Sequence, residues 1–237
     1  MGLQDRFHEL LVRAATELYQ DHRDRMDRPG LIPTANVIDD ADLVLFFEGL
    51  EGGLIRLERG GKFNTLDRPA PGGRWSLLSR SRDGGWYNAE YLPQLAAYVE
   101  LVRRLGYPAD RVLFELPRRS LQLDLAVLTD QGTVAVLGEA KRATSMLDPL
   151  AQAARQRFSL VQPGEKTRRR SDEARQLAWR LWLTRAPYLW LVGPGVRQAY
   201  RCSYDPLVLD TIPSMPSAGE LGLAHGSPTK MAPPALR

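Results

Sequence analysis

Two apolar runs joined by a short polar link constrain this chain most. The first, Leu121-Gln-Leu-Asp124-Leu-Ala-Val-Leu128, carries an Asp in its middle. The second, Val134-Ala-Val-Leu-Gly-Glu139-Ala-Lys141, closes on Glu-x-Lys. Strands accept charges reluctantly, because an unpaired charge taken away from water is costly. Three charges near the ends of two neighbouring apolar strands therefore point to one shared site. Two carboxylates beside an ammonium are a donor set for a divalent metal acting on phosphate.

The register can be worked out from the sequence. Side chains alternate between the two faces of a strand, so Gln122, Asp124 and Ala126 share one face, and Leu137, Glu139 and Lys141 share another. The link Thr129–Thr133 reads as a tight hairpin. A two-residue Gln131-Gly132 loop sets Asp130 against Thr133 and, counting back, Asp124 against Glu139. Directly opposed residues have Cβ atoms roughly 5 Å apart, close enough to share one ion. A three-residue loop instead sets Gly138 against Asp124, and a bulge is then needed to restore the pair.

This arrangement resembles the PD-(D/E)xK nuclease superfamily, the restriction-endonuclease-like fold. The motif reads Asp124, then Glu139-Ala140-Lys141, and the resemblance runs from Asn88 to Tyr204. Leu123 stands where the family's leading Pro would be. The resemblance implies that Asp124 and Glu139 bind Mg²⁺, for which Mn²⁺ can substitute, that the Ala140 carbonyl joins them, and that Lys141 orients or activates water. Lys141 is one of only four lysines (Lys62, Lys141, Lys166, Lys230) in a chain that writes its other basic positions as Arg. An ammonium is a compact point charge, whereas guanidinium is a planar fork.

A third acid often completes such sites. Glu90, near the start of a helix, ranks ahead of Glu115, at the end of the strand before Asp124. The competing reading of Glu90 is favourable interaction with its own helix N-terminus. Gln152 falls where some members place a Gln. The RecB-type Tyr one turn later is Gln156 here, and the cysteine cluster of iron–sulfur members is absent. Arg155, Lys166, Arg168, Arg169 and Arg170 concentrate positive charge after the motif, and they read either as a solvated run or as contacts to backbone phosphates. Asp124 could also be a strand Asp paired with an Arg such as Arg118, and Glu139 with Lys141 a plain ion pair.

The remaining pattern fills in a domain plan. Residues 1–87 read as an N-terminal attachment: a helix over 3–24, a strand at Ala41–Phe47, a second strand at Leu54–Leu57, then Gly-, Arg- and Pro-rich loops around Trp75–Leu78. Residues 88–210 read as an α/β core: an Asn88-capped helix, three strands, a helix opened by Asp148-Pro149, a helix capped by Ser171, and two strands. The expected sheet is mixed and flanked by helices. Residues 211–237, rich in Pro, Ser, Gly and Ala, read as a flexible tail.

Composition sets broad limits. A net charge of +4 and a pI near 9.4 lean towards an anionic partner. The single Cys202 excludes an intrachain disulfide and cysteine-based zinc or iron–sulfur sites, and His8, His22 and His225 lack ligand spacing. No apolar run reaches transmembrane length, and a charged amphipathic helix stands where a secretory signal would be. The expectation is a cytoplasmic, metal-dependent nuclease that binds nucleic acid, with DNA as the leading substrate and the choice between DNA and RNA left open by the sequence, without membrane association. Residues 1–87 are expected to recognise substrate, bind a partner protein or form a homodimer. The rival expectation is a non-catalytic nucleic-acid-binding or assembly module on the same fold; a third is an unrelated α/β protein with incidental strand charges.

Overall fold

The computed structural model describes residues 2–18, 38–67, 72–81, 84–117, 122–161 and 172–223. Its contacts divide the chain into two compact units, Met1–Glu100 and Leu101–Arg237. The division falls inside a helix rather than at residue 87.

In the first unit, helix α1 (Leu3–Leu18) buries Phe7, Leu10, Leu11, Ala14 and Ala15, the stripe expected from their helical spacing. Residues 19–24 of the expected helix lie outside the described residues. Helix α2 (Asp40–Glu51) replaces the strand expected at Ala41–Phe47. A short unbroken apolar run fits a buried helix as well as a strand, and here the capping chemistry decides. The Asp39 side chain accepts the N–H groups of Ala41 and Asp42, satisfying donors that a starting helix leaves open. Phe46 then stands edge-on to Phe7, with ring centroids 5.4 Å apart.

Strand β1 (Ile55–Leu57) follows as expected. The stretch read as loops holds more strand than the sequence shows: β2 (Lys62–Thr65), β3 (Trp75–Ser76), β4 (Leu78–Ser81) and β5 (Gly84–Tyr87). Strands β1, β2 and β3 form one small antiparallel sheet, and β4 pairs with β5. Helix α3 (Tyr91–Arg103) comes next. Asn88 does not cap it with its side chain. That amide serves the hairpin instead, donating to the Ser76 carbonyl and accepting from the Trp86 indole.

The second unit is built on one six-stranded sheet. Its strands are β6 (Val112–Pro117), β7 (Gln122–Leu128), β8 (Val134–Ala140), β9 (Tyr188–Gly193), β10 (Val196–Ser203) and β11 (Val208–Ile212), and they lie in the order β11-β10-β9-β8-β7-β6. Every pair is antiparallel except β8 with β9. A parallel pair needs a long crossover. Helices α4 (Leu147–Phe158) and α5 (Glu173–Thr184) lie within that connection. They pack Leu150, Ala154, Leu177 and Leu181 against Ala126, Leu137, Leu189 and Leu191. This mixed α/β sheet, covered by helices, realises the coarse architecture expected for residues 88–210.

Local details differ from the sequence reading. Helix α4 begins at Leu147 after a single 3-10 turn (Thr144–Met146), so Asp148 sits in its first turn rather than at its cap. Asp172 caps α5, accepting the Arg175 N–H at 3.0 Å. Ser171, the expected cap, lies outside the described residues. Thr211 does not begin a tail. Strand β11 pairs with β10 from Ser203–Val208 to Ala199–Ile212. Beyond it Met215, Ala218 and Leu223 are buried, and the Ala218 N–H donates to the Leu105 carbonyl at 2.8 Å. Residues 224–237 lie outside the described residues. No helix of the described residues is long and apolar enough to cross a membrane.

The hairpin between β7 and β8 sets the site. Its loop has three residues, not two: the Thr129 N–H donates to the Thr133 carbonyl at 2.8 Å, and Gly132 takes a φ of 74°. Only glycine enters that left-handed region without steric cost, and such a residue closes a three-residue hairpin. Leu128 pairs with Val134 but Val127 pairs with Val136, so Ala135 is the extra residue of a bulge. From there Leu125 pairs with Gly138, and one step further Asp124 stands opposite Glu139. The bulge restores the pairing that the longer loop would have shifted.

Gly138 is required by this crossing. A Cβ there would lie 2.6 Å from the Leu125 Cβ, so the strands would have to separate beside the site. We expect Gly138→Ala to destabilise the protein by about 1–3 kcal/mol, the usual cost of overpacking a core. Urea unfolding checks this; an unchanged midpoint would contradict the close approach.

Candidate functional site

The hairpin register puts Asp124 and Glu139 on the sheet face covered by α4 and α5, and places Lys141 just past the end of β8. The Lys141 N–H donates to the Val192 carbonyl at 2.8 Å, which ties this end of the chain to the parallel neighbour β9. Side chains then converge. Asp124 Oδ2 accepts the Ala140 N–H at 2.8 Å. Lys141 Nζ donates to Glu139 Oε1 at 2.9 Å and lies 3.4 Å from Glu173 Oε2. Arg180 Nη1 donates to the other Glu139 oxygen, Oε2. Glu139, Lys141 and Arg180 are only 4%, 5% and 7% exposed. Such depth is unusual for charges and is tolerated where they pair.

Arg180 and Glu173 are contributed by α5. They stand two helical turns apart along one side of the helix, with Leu177 between them; Arg180 is buried and Glu173 is exposed at the N-terminal end. The sequence placed neither at the site, and Glu173 read only as an acid favouring its own helix N-terminus. A signal was available: Arg180 falls three residues after Leu177, on the stripe of Ala174, Leu177 and Leu181. A charged residue on an apolar stripe asks for a partner.

Glu115 belongs to the same electrostatic group. The β6–β7 register runs through Phe114–Leu125 and Leu116–Leu123, so Glu115 falls opposite Asp124. Its φ of 48° departs from strand geometry. Left-handed backbone at a non-glycine residue costs roughly 1–3 kcal/mol and gathers at functional sites. Three acids, Glu115, Asp124 and Glu139, thus lie in a row across β6, β7 and β8. Glu90, ranked ahead of Glu115 in the sequence, lies in the exposed turn before α3, in the first unit.

The network separates the protonation behaviour of its members. Burial raises the Asp124 pKa well above the usual carboxylate range, helped by the negative charges of Glu139 and Glu115 and opposed by Arg180 and Lys141. Burial also works against charge on Glu139, but Arg180 and Lys141 outweigh it and hold that carboxyl below its ordinary value. Burial likewise works against charge on Lys141 and Arg180, and the carboxylates overcome it, so both pKa values rise. Lys141 is therefore held as an ammonium, and Glu139 as a carboxylate.

In this network the carboxylate oxygens of Asp124 and Glu139 are hard donors of the kind Mg²⁺ takes, which commonly uses one or two carboxylates with water completing the shell. The donor chemistry fits the ion, and both Glu139 oxygens already serve cations, Lys141 and Arg180. No group of three or more His, Cys, Asp or Glu side chains among the described residues is arranged to hold a metal.

Two further candidates, Gln152 and Arg155, are described. Gln152 and Arg155 are on the exposed side of α4, and no hydrogen bond or ion pair described for the cluster reaches them. Arg118, Lys166, Arg168, Arg169 and Arg170 lie outside the described residues. Compared with protein-family models, curated proteins and solved structures, the chain finds no match.

The Asp124 environment carries a signed prediction. An acid whose pKa is raised by folding contributes stability that is present below its unfolded pKa and lost as pH rises through the folded value. In EDTA, Asp124→Asn should therefore melt higher than the parent at pH 8, with the gap narrowing as pH falls through the raised pKa. The Asn side-chain oxygen can still accept the Ala140 N–H. A gap that widens on acidification would contradict the assignment, as thermal melts across pH would show.

Proposed function

We propose that the chain is a metal-dependent phosphodiesterase of PD-(D/E)xK type, with a restriction-endonuclease-like core, acting on nucleic acid and most simply as a DNA endonuclease. The observation that carries this reading is the convergence of Asp124, Glu139 and Lys141 at the ends of adjoining strands in one buried, charge-coupled cluster. Asp124, Glu139 and the Ala140 carbonyl are the residues that would hold Mg²⁺ or Mn²⁺, with Glu115 as the third acid. Such an ion, when bound, supplies Lewis-acid polarisation of a phosphoryl oxygen.

The side chains have distinct roles in this reading. Lys141, held as an ammonium by its carboxylate neighbours, is a hydrogen-bond donor and a point of positive charge, suited to charge growing on a phosphate and not to giving up or taking a proton. Glu139 fixes its position through the 2.9 Å hydrogen bond. The Ala140 N–H fixes Asp124, so the carboxylates keep their places without the ion. Arg155 on α4, with Lys166, Arg168, Arg169 and Arg170, supplies contacts to backbone phosphates.

The discriminating assay incubates the protein with circular and linear DNA in Mg²⁺, Mn²⁺ or EDTA. Metal-dependent nicking of circular DNA is expected. Asp124→Asn and Glu139→Gln should abolish it and remove Mn²⁺ binding; Glu139→Ala is less suited, because it strands two buried cations. Lys141→Arg should keep DNA affinity and lower turnover by about 100-fold, the scale of one lost transition-state contact. Full activity in these variants would contradict the site.

A second reading has its own support. Glu139 is neutralised from both sides by Lys141 and Arg180, as suits a non-catalytic nucleic-acid-binding or assembly module with this fold. DNA binding without turnover at any metal concentration would favour it.

The basic run supports a separate test. Replacing Arg168, Arg169 and Arg170 with Ala should weaken binding to unrelated duplexes alike, and lower the slope of log K against log salt by up to about 3, near one unit per lost contact. Filter binding at several salt concentrations measures this. An unchanged slope would remove the run from the interface.

A further inference from the structure

Arg180 presents a problem that the catalytic reading does not absorb. It is 7% exposed, rises from the inward side of α5, and gives its guanidinium to Glu139 Oε2 while Lys141 holds Oε1. Its charge also interacts with Asp124 and Glu115. The guanidinium thus lies against one proposed ligand and within the field of two further acids. It cannot withdraw by losing a proton, because guanidinium stays charged in proteins. It can leave the carboxylate only by moving.

We propose that Arg180 is an internal counter-cation that competes with the divalent ion for Glu139 and so sets the metal affinity of the site. The proposal rests on the metal-site reading above. Without the ion, the guanidinium and the Lys141 ammonium together offset the buried carboxylates. With the ion, Glu139 Oε2 is shared or surrendered, and one positive charge beside the ion becomes excess. Affinity is thereby lowered, so the site fills only where divalent metal is plentiful, or where a further anion such as a phosphodiester enters and offsets the extra charge. Arg180 is in this sense a positioning residue, acting through Glu139.

Calorimetric titration with Mn²⁺ alone, without nucleic acid, tests this on the full chain. Arg180→Gln keeps a polar partner for Glu139 but removes the charge, and it should bind Mn²⁺ at least about tenfold more tightly than the parent, since one adjacent like charge is lost. Arg180→Lys, which keeps the charge, should stay near parental affinity. Equal or weaker binding by Arg180→Gln, with a parent that binds, overturns the proposal and leaves the metal site standing. A parent that binds no Mn²⁺ overturns both. Should Arg180→Gln fail to fold, the parent labelled with ¹⁵N-arginine answers instead. The guanidinium signal lost in Arg180→Lys should shift saturably as Mg²⁺ is added, and an unmoved signal at metal saturation overturns the proposal.

Discussion

The Glu139 carboxylate, gripped by Lys141 on one oxygen and Arg180 on the other, is the interaction on which the second unit's arrangement turns. It joins the end of β8 to α5, elements separated by most of the crossover that makes β8 and β9 parallel. Breaking a buried ion pair from one side leaves an uncompensated charge and costs about 3–5 kcal/mol. The same atoms that stabilise the unit are the atoms that would hold a metal. In the proposed reading, stability and metal binding compete at Glu139, through Arg180.

Asp124 has a different position. It is fixed by the Ala140 N–H and lies between two further acids, with burial opposing its ionisation. The neighbouring Lys141 and Arg180 charges only partly oppose this, so the Asp124 carboxyl stays well above its ordinary pKa. The strained backbone of Glu115 opposite Asp124 fits the same pattern, in which local cost is tolerated at a place the rest of the sheet holds firmly.

The site was more legible in the sequence than the fold around it. Asp124, Glu139 and Lys141 could be brought together because strand periodicity is strict and the hairpin is short. The pairing came out as expected although the turn did not, since the Ala135 bulge compensates for the longer loop. Ala41–Phe47 was misread because an unbroken apolar run carries no period, and the deciding contact, the Asp39 side chain on two backbone N–H groups, is local chemistry rather than pattern. Strand β11 was misread because its pairing with β10 is a tertiary fact, and the Pro, Ser and Gly that follow suggested a tail. Arg180 lay hidden because a helix places it beside Glu139 from 41 residues away, and no local rule connects such positions.

Asp124 and Glu139, at the ends of β7 and β8, are the proposed divalent-cation site. The most direct measurement is anomalous diffraction from crystals of the full chain soaked in Mn²⁺. The account predicts one strong anomalous peak between the Asp124 and Glu139 carboxylates, beside the Ala140 carbonyl, with the Arg180 guanidinium displaced from Glu139. Absence of a peak there at saturating Mn²⁺, with Lys141 and Arg180 still holding both Glu139 oxygens, would contradict it.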